Sequence, residues 1–393
     1  MTMTTLDGTR AGAVHAGIAA LQPMLAAGAA DADRNRRVND DVAHALRDLG
    51  AHRLLQPAAY GGAEASVGDH VRAVAAVSEG CVAAGWCLAV WSVHNWMLAH
   101  FDAHAQAAVW GADPAAMVSG SIVPKAPFRA DGDEHVLVDG RFGFTSGVDH
   151  ADWVLLGGVV EREGSRAGAM VVVPRADVTV DHDSWRVMGL RGTGSKDVAV
   201  ERPVRVARRD VFFPEDSYEG RARGQLVHIG PVFRAPFRGV GILVLAPPAL
   251  GAARAALARF VERLDVHAMV MARSSQRADA AARLRVAESA ADIDAAERTL
   301  YAAAESCDAM GRAGERDPLR EATVARDAAY AVRLCARAVD RLFEAAGGSA
   351  LAESEPLQRL WRDVNGARMH AVLTWDGAAN AYADALLGAV PKS

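Results

Sequence analysis

Near residue 117 the texture of this chain changes, and near residue 214 it changes back. Between those points run MVSGSIV, HVLVDGRFGFTSG, DWVLLGGVV, AMVVVP, VTVDHDSWRV and DVAVERPVRV, short β-type segments separated by Gly, Asp and Pro. Six such runs at close spacing predict a compact antiparallel barrel or sandwich. On either side the sequence is rich in Ala and Leu at helical spacing. Before the β region, turn signals at Ala58-Ala59-Tyr60-Gly61-Gly62 and Gly111-Ala112-Asp113-Pro114 divide helices. Asn39 ahead of Asp40 and Asp41, with Gly50 behind, predicts one complete short helix. After the β region, Leu250 to Val270, Arg277 to Met310 and Leu319 to Ala346 read as long helices of a bundle. The predicted architecture is mainly α with a central β domain: an N-terminal helical domain over 1–116, a β domain over 117–215 and a C-terminal helical bundle over 216–393.

Composition removes several classes of function. The 43 basic residues against 48 acidic ones leave a net charge of −5 with no basic block, so nothing marks a nucleic-acid footprint. Cys81, Cys87, Cys307 and Cys335 fit neither a zinc ribbon nor a CxxC motif and read as buried thiols in a reduced compartment. The first residues lack a basic region followed by an apolar one, so the expectation is a cytoplasmic protein. Residues 80 to 101 carry no formal charge over a span long enough for a bilayer. Ser92, His94, Asn95 and His100 would be costly in hydrocarbon, which favours a buried helix and no membrane. GxGxxG after a strand, GxxxxGK[ST], HExxH and GxSxG are all missing, so any chemistry must come from the fold.

The strings WSVHNW (91–96), GRFGFTSGVDHADWVLLGG (140–158), WRVMGLRGTGSKDVAVE (185–201), FEAAGGSAL (343–351) and LQRLWRDVNGARMHAVLTWD (357–376) carry a specific likeness. With the α, β, α order they resemble the oxygenase component of two-component flavin monooxygenases of acyl-CoA dehydrogenase fold, the 4-hydroxyphenylacetate 3-hydroxylase type. The resemblance runs from about residue 35 to 385. It implies an acyl-CoA dehydrogenase-like fold with a β-barrel or sandwich and a C-terminal four-helix bundle, assembled as a homotetramer. It also implies reduced FMN or FAD delivered by a separate NAD(P)H-dependent flavin reductase, molecular oxygen, no metal and a small aromatic, phenolic substrate. The implied reaction forms a C4a-hydroperoxyflavin that hydroxylates the ring.

Each site residue has a chemical reading beside a plain structural one. Thr145-Ser146-Gly147 puts two hydroxyls beside a glycine at a strand end, where backbone approaches a flat ligand closely. The resemblance implies that Ser146 meets flavin N5, with Ser121 nearby on the preceding strand; alone, TSG is an ordinary turn. Arg191, Thr193 and Ser195 offer a cation, hydroxyls and free amides, and the resemblance assigns them to the flavin. It places Trp86 and His94 beside the flavin and substrate, His94 as a donor to developing negative charge; a core histidine is the plain reading. His370 is the implied base that removes the phenolic proton, with an ordinary pKa near ~6.5 suited to neutral pH. Arg238 matches a substrate-contacting arginine, with Arg234 four residues away as a rival. Ala346-Gly347-Gly348 resembles a loop reaching a neighbouring subunit's flavin, and also a helix C-cap. Arg362-Asp363 reads as a structural pair.

Other activities of this fold remain as alternatives, namely N-hydroxylation and S-oxygenation. An acyl-CoA dehydrogenase is disfavoured because Trp375-Asp376-Gly377 stands where such enzymes present a Glu, one methylene longer. A catalytically dead scaffold would bind no flavin, which the TSG and RGTGS strings oppose.

Overall fold

The computed structural model describes residues 4–162, 164–266 and 280–388. Helices α1 (Thr4–Asn35), α2 (Asp40–Asp48), α3 (Val67–Gly80), α4 (Val82–Leu98) and α5 (Ala103–Trp110) precede the strands. These are β1 (Val118–Pro127), β2 (Arg129–Asp131), β3 (His135–Thr145), β4 (Trp153–Arg162), β5 (Ser165–Pro174), β6 (Thr179–Asp181) and β7 (Lys196–Ala207). Short helices α6 (Pro214–Tyr218), α7 (Pro231–Arg234) and α8 (Phe237–Leu243) lead into α9 (Pro247–Val266), α10 (Ala280–Ala313), α11 (Pro318–Ala345), α12 (Pro356–Ala367) and α13 (Trp375–Leu387). The helix ends expected at Val270 and Arg277 lie outside the described residues.

The β region is two sheets, ordered β1-β4-β5 and β2-β3-β7-β6. Val138, Phe142, Val154, Leu156, Val171, Val173, Val198 and Val200 fill the core of this region. One pairing departs from the antiparallel expectation: β1 runs parallel to β4, with Val118 opposite Trp153. The chain leaves β1 for the β2-β3 hairpin of the other sheet and returns at β4, and such a crossover connection permits parallel neighbours. The run VTVDHDSWRV forms only the three-residue β6. Asp181 then turns the chain, accepting from Asp183 N–H and the Ser184 hydroxyl.

Every residue of α4 is buried. A helix that is apolar all round belongs inside a protein core or a bilayer, and here the surrounding protein supplies partners for some of its polar groups, while Ser92 Oγ and Asn95 Nδ2 are buried with none among the described residues. Trp96 donates to Val232 O at 2.9 Å, and Asn95 Oδ1 accepts from Trp110 Nε1 at 3.1 Å. The uncharged 80–101 stretch is therefore core. At α2 the polar residue sits where expected, Asn39 at the N-cap with ψ 146°, yet its side chain makes no capping bond.

Helices α9, α10, α11 and α12 form the four-helix bundle, α13 packs on α11, and α3 lies along α9. Pro at N1 and an acidic N-cap start both α11 and α12, Asp317-Pro318 and Glu355-Pro356. All four cysteines are buried and unpaired, and burial pushes the Cys81 thiol up to about 11 and that of Cys335 to about 12.

Candidate active site

Three segments meet beside α4. Trp86 and His94 come from α4 itself, Ser119 and Ser121 from β1, and the end of β3 with the 190–195 loop supplies the rest. Trp86 Nε1 donates to Ser146 Oγ at 3.2 Å. Ser146 Oγ lies 2.6 Å from Ser195 Oγ, which lies 2.6 Å from Thr193 Oγ1. Backbone ties hold these partners in place: Gly147 N–H donates to Thr193 O, Ser119 Oγ to Ser146 O, and Ser121 Oγ to Gly143 O. Gly147 has φ +70°, and a Cβ there would come within 2.5 Å of Trp91 Nε1, which donates to Gly147 O. Only glycine meets both demands.

The 190–195 loop is clamped from both sides. Asp363 Oδ1 accepts Leu190 N–H at 2.6 Å, and burial raises that carboxyl to about 6. Arg362 pairs bidentately with Asp33 at 2.9 and 3.0 Å and donates to Met188 O. Trp185 Nε1 donates to the Leu190 and Arg191 carbonyls. Lys196 and Asp149, both nearly buried, pair at 2.6 Å and bind the segment after Ser195 to the one after Ser146. At Gly189 a Cβ would sit 1.9 Å from Arg362 O, so loop and α12 touch through backbone. Gly189→Ala should therefore push them apart, costing about 1–3 kcal/mol in thermal unfolding and weakening flavin binding in a fluorescence titration. Wild-type values in both measurements would refute the contact.

His370 lies in the connection between α12 and α13 rather than on a helix surface. Its ring meets Trp86 edge-on, with centroids 5.5 Å apart, and Nδ1 is buried without a partner among the described residues. Burial lowers its pKa below the usual histidine value, so the ring is neutral at pH 7. His94 is fully buried and burial lowers it to about 4. Its Nδ1 lies 3.3 Å from the Val118 carbonyl, which can only accept. The single proton of the neutral ring is thereby assigned to Nδ1 and Nε2 keeps its lone pair. In that tautomer His94 presents an acceptor at Nε2, whereas the resemblance implied a donor.

Several expected site residues stand apart from this group. Arg238 is exposed, with its guanidinium 5.3 Å over the Tyr218 ring, and Arg234 reaches toward Arg312 O on the surface. Arg191 points to Asp33 at 3.5 Å. Ala346 caps α11, and Gly347 and Gly348 follow it exposed, with open space where side chains would be. Asp376 is exposed in the first turn of α13, unlike a base set to abstract a proton beside a carbonyl. Sequence reading took Asp363 as structural without its partner in the loop, and missed Trp185 and Lys196 as supports of the site, although WRVMGLRGTGSK holds both within the flavin-like string. A separate cleft of about 360 Å³, lined by Asp102, Arg162, Arg208, Arg209 and Arg223, contains none of the candidate residues.

The grouping suits a flat, hydrogen-bonding ring. The buried Thr145 hydroxyl and His370 Nδ1 lack partners among the described residues, and the Trp86 indole that meets His370 also bonds Ser146, beside Ser195. Among the described residues no group of His, Cys, Asp and Glu is arranged to hold a metal.

Residues 19–117 match the family profile described as Acyl-CoA dehydrogenase, N-terminal domain, and residues 243–375 match Acyl-CoA dehydrogenase, C-terminal domain. The flavin-dependent monooxygenase, oxygenase subunit HsaA, of Rhodococcus jostii (strain RHA1) is 35% identical over 362 residues, covering 90% of this chain and 92% of its own. The FADH(2)-dependent resorcinol hydroxylase, oxygenase component, of Rhizobium sp. (strain MTP-10005) is 30% identical over 388 residues, covering 95% and 94%. Among solved structures, the 3-HSA hydroxylase from Rhodococcus sp. RHA1 superposes with a TM-score of 0.90 at 34% identity, covering 97% and 98% of the two chains.

Proposed function

Because this chain belongs to the oxygenase components of flavin-dependent monooxygenases built on the acyl-CoA dehydrogenase fold, we propose that it takes reduced FMN or FAD from a separate reductase and hydroxylates a phenol. The observation that carries this reading is the grouping of Trp86, Ser146 and His370 around one buried spot. When bound, reduced flavin together with dioxygen supplies the oxidising power and the transferred oxygen atom.

The residues of the chain bind, orient and manage protons. Trp86 and the Thr145-Ser146-Gly147 turn hold the ring system, with Ser121 beside them and Ser146 at N5. Thr193 and Ser195 line the same site through Ser146, and Arg191 lies at the loop's outer edge. His370, neutral at pH 7, accepts the phenolic proton on a ring nitrogen, which makes the ring carbon ortho to the oxygen electron-rich. His94 accepts a hydrogen bond at Nε2. The exposed position of Arg238 favours an uncharged phenol over a carboxylate-bearing one. Ala346, Gly347 and Gly348 are accessible to the flavin of a neighbouring subunit, and exposed Leu351, Met369 and Leu387 support a homotetramer built through the bundle. Four unpaired thiols accord with a cytoplasmic address.

The test supplies purified protein with chemically reduced FMN or FAD, air and a panel of neutral phenols, phenolic acids, arylamines and thioethers. A ring-hydroxylated product carrying one atom of labelled dioxygen, formed fastest from neutral phenols, is expected. Turnover confined to arylamines or thioethers would move the protein to N- or S-oxygenation, and bleaching of bound oxidised flavin by an acyl-CoA would move it to the dehydrogenases.

A further inference from the structure

We propose that the hydroxyl chain Ser146, Ser195, Thr193 biases this site toward reduced flavin by making Ser146 a hydrogen-bond acceptor. The inference rests on the reading that Ser146 meets flavin N5. Counting hydrogens fixes the direction of the chain. Thr193 Oγ1 is 2.8 Å from Leu190 O, and a carbonyl only accepts, so the Thr193 hydrogen goes there. Ser195, 2.6 Å away, must then donate to Thr193, and Ser146 must donate to Ser195. Trp86 Nε1–H enters Ser146 Oγ from another side. Ser146 is thereby left with a lone pair and no hydrogen for a ligand. With Ser146, Thr193 and Ser195 all buried, bulk water offers no substitute partners.

Oxidised flavin carries a lone pair at N5, whereas two-electron-reduced flavin carries N5–H. An acceptor at Ser146 pairs with N5–H directly. To pair with oxidised N5, Ser146 must turn its hydrogen to the flavin, which leaves one contact of the chain without a proton, at Ser146–Ser195 or, if the other hydroxyls reverse as well, at Ser195–Thr193 or at Thr193 Oγ1 and Leu190 O, 2.8 Å apart. The reversal costs one hydrogen bond, so the chain favours the reduced cofactor that an oxygenase component receives. Thr193 and Ser195 are positioning residues here, since they act through Ser146.

Anaerobic titration of the flavin-free protein with oxidised FMN and with dithionite-reduced FMN reads the ratio of the two dissociation constants. Wild type should bind reduced FMN more tightly. Ser195→Ala removes the acceptor for the Ser146 hydrogen, and Thr193→Val removes the far anchor while keeping both serines. Each variant should tighten oxidised FMN about three- to tenfold and leave reduced FMN within about twofold. A tenfold change lowers the midpoint potential of the bound couple by about 30 mV. Ser195→Thr, which keeps a hydroxyl, should restore the wild-type ratio. An unchanged ratio in both Ser195→Ala and Thr193→Val, with Ser146→Ala shifting it, overturns the chain. A ratio unmoved even by Ser146→Ala overturns instead the placement of Ser146 against N5.

Discussion

His370→Asn should lower ring hydroxylation of a phenol by about 10²–10⁴-fold, the usual worth of a positioned general base, while reduced flavin continues to be consumed. The oxygen equivalents should then appear as hydrogen peroxide instead of product. The argument starts from the pKa gap between a phenol near ~10 and neutral pH: without a base the ring stays protonated and attacks poorly. Burial lowers the His370 pKa, so the base form is populated at pH 7 and persists below pH 6.5. Wild-type kcat/KM should therefore stay level on descending through pH 6.5 and fall only where the imidazole takes its proton. Asn cannot titrate, and the variant should lose that acid limb altogether. A phenol already ionised at the assay pH bypasses the base, so nitrophenol-type substrates should recover most of the loss. Loss of the Trp86 contact alone would depress both kinds of substrate equally. Product formation within about twofold of wild type with an un-ionised phenol would remove His370 from the reaction.

The fold was legible because its signals are local. Alternation and Gly-Asp-Pro breaks mark the strands between 118 and 207, and Pro after an acidic cap marks α11 and α12. What was not legible is pairing at a distance. Nothing in MVSGSIV says that Val118 lies parallel to Trp153, because the partner is chosen by the route the chain takes through the second sheet. The site divides the same way. Ser146, Thr193 and Ser195 stood out as hydroxyls beside glycines, and the structure does bring them within hydrogen-bond reach. Asp363 looked like a structural residue because its role is a bond to the Leu190 amide, 173 positions away in sequence. The direction of His94 depended on the Val118 carbonyl, a group every residue carries and no side-chain pattern reveals. Arg238 illustrates the converse: a motif position can match while its side chain lies out on the surface over Tyr218.

The native state should lose stability steeply between pH 7 and pH 5, before any carboxylate pair is broken. Burial lowers His52 and His70 to about 3, and His94 and His100 to about 4. Folded, these four rings stay neutral at pH 5; unfolded, each binds a proton near pH ~6.5. The unfolded chain thus holds more protons over this range, so stability rises with pH there and falls as pH is lowered. Their contribution is whole above pH 6.5 and drains toward pH 4, by about 2 kcal/mol for each ring at pH 5. Asp363, raised to about 6, works in the opposite direction, because the folded state takes up its proton first. That group returns about 1 kcal/mol at pH 5; burial also raises Asp308 and Glu321, which add to the return, and lowers His150, His228 and His370, which add to the loss, leaving a net loss of several kcal/mol against a total stability of roughly 5–15. The melting temperature should fall by about 10 °C from pH 7.5 to pH 5. His70 offers the cleanest check, since both its nitrogens are buried without partners among the described residues. His70→Leu removes one of these titrations along with an unsatisfied donor, so it should keep or raise stability at pH 7.5 and reduce the stability lost between pH 7.5 and pH 5 by about 2 kcal/mol. A melting temperature that does not change between pH 7.5 and pH 5, or a His70→Leu slope as steep as wild type, would show that these rings are hydrated in the native state rather than held neutral by the core.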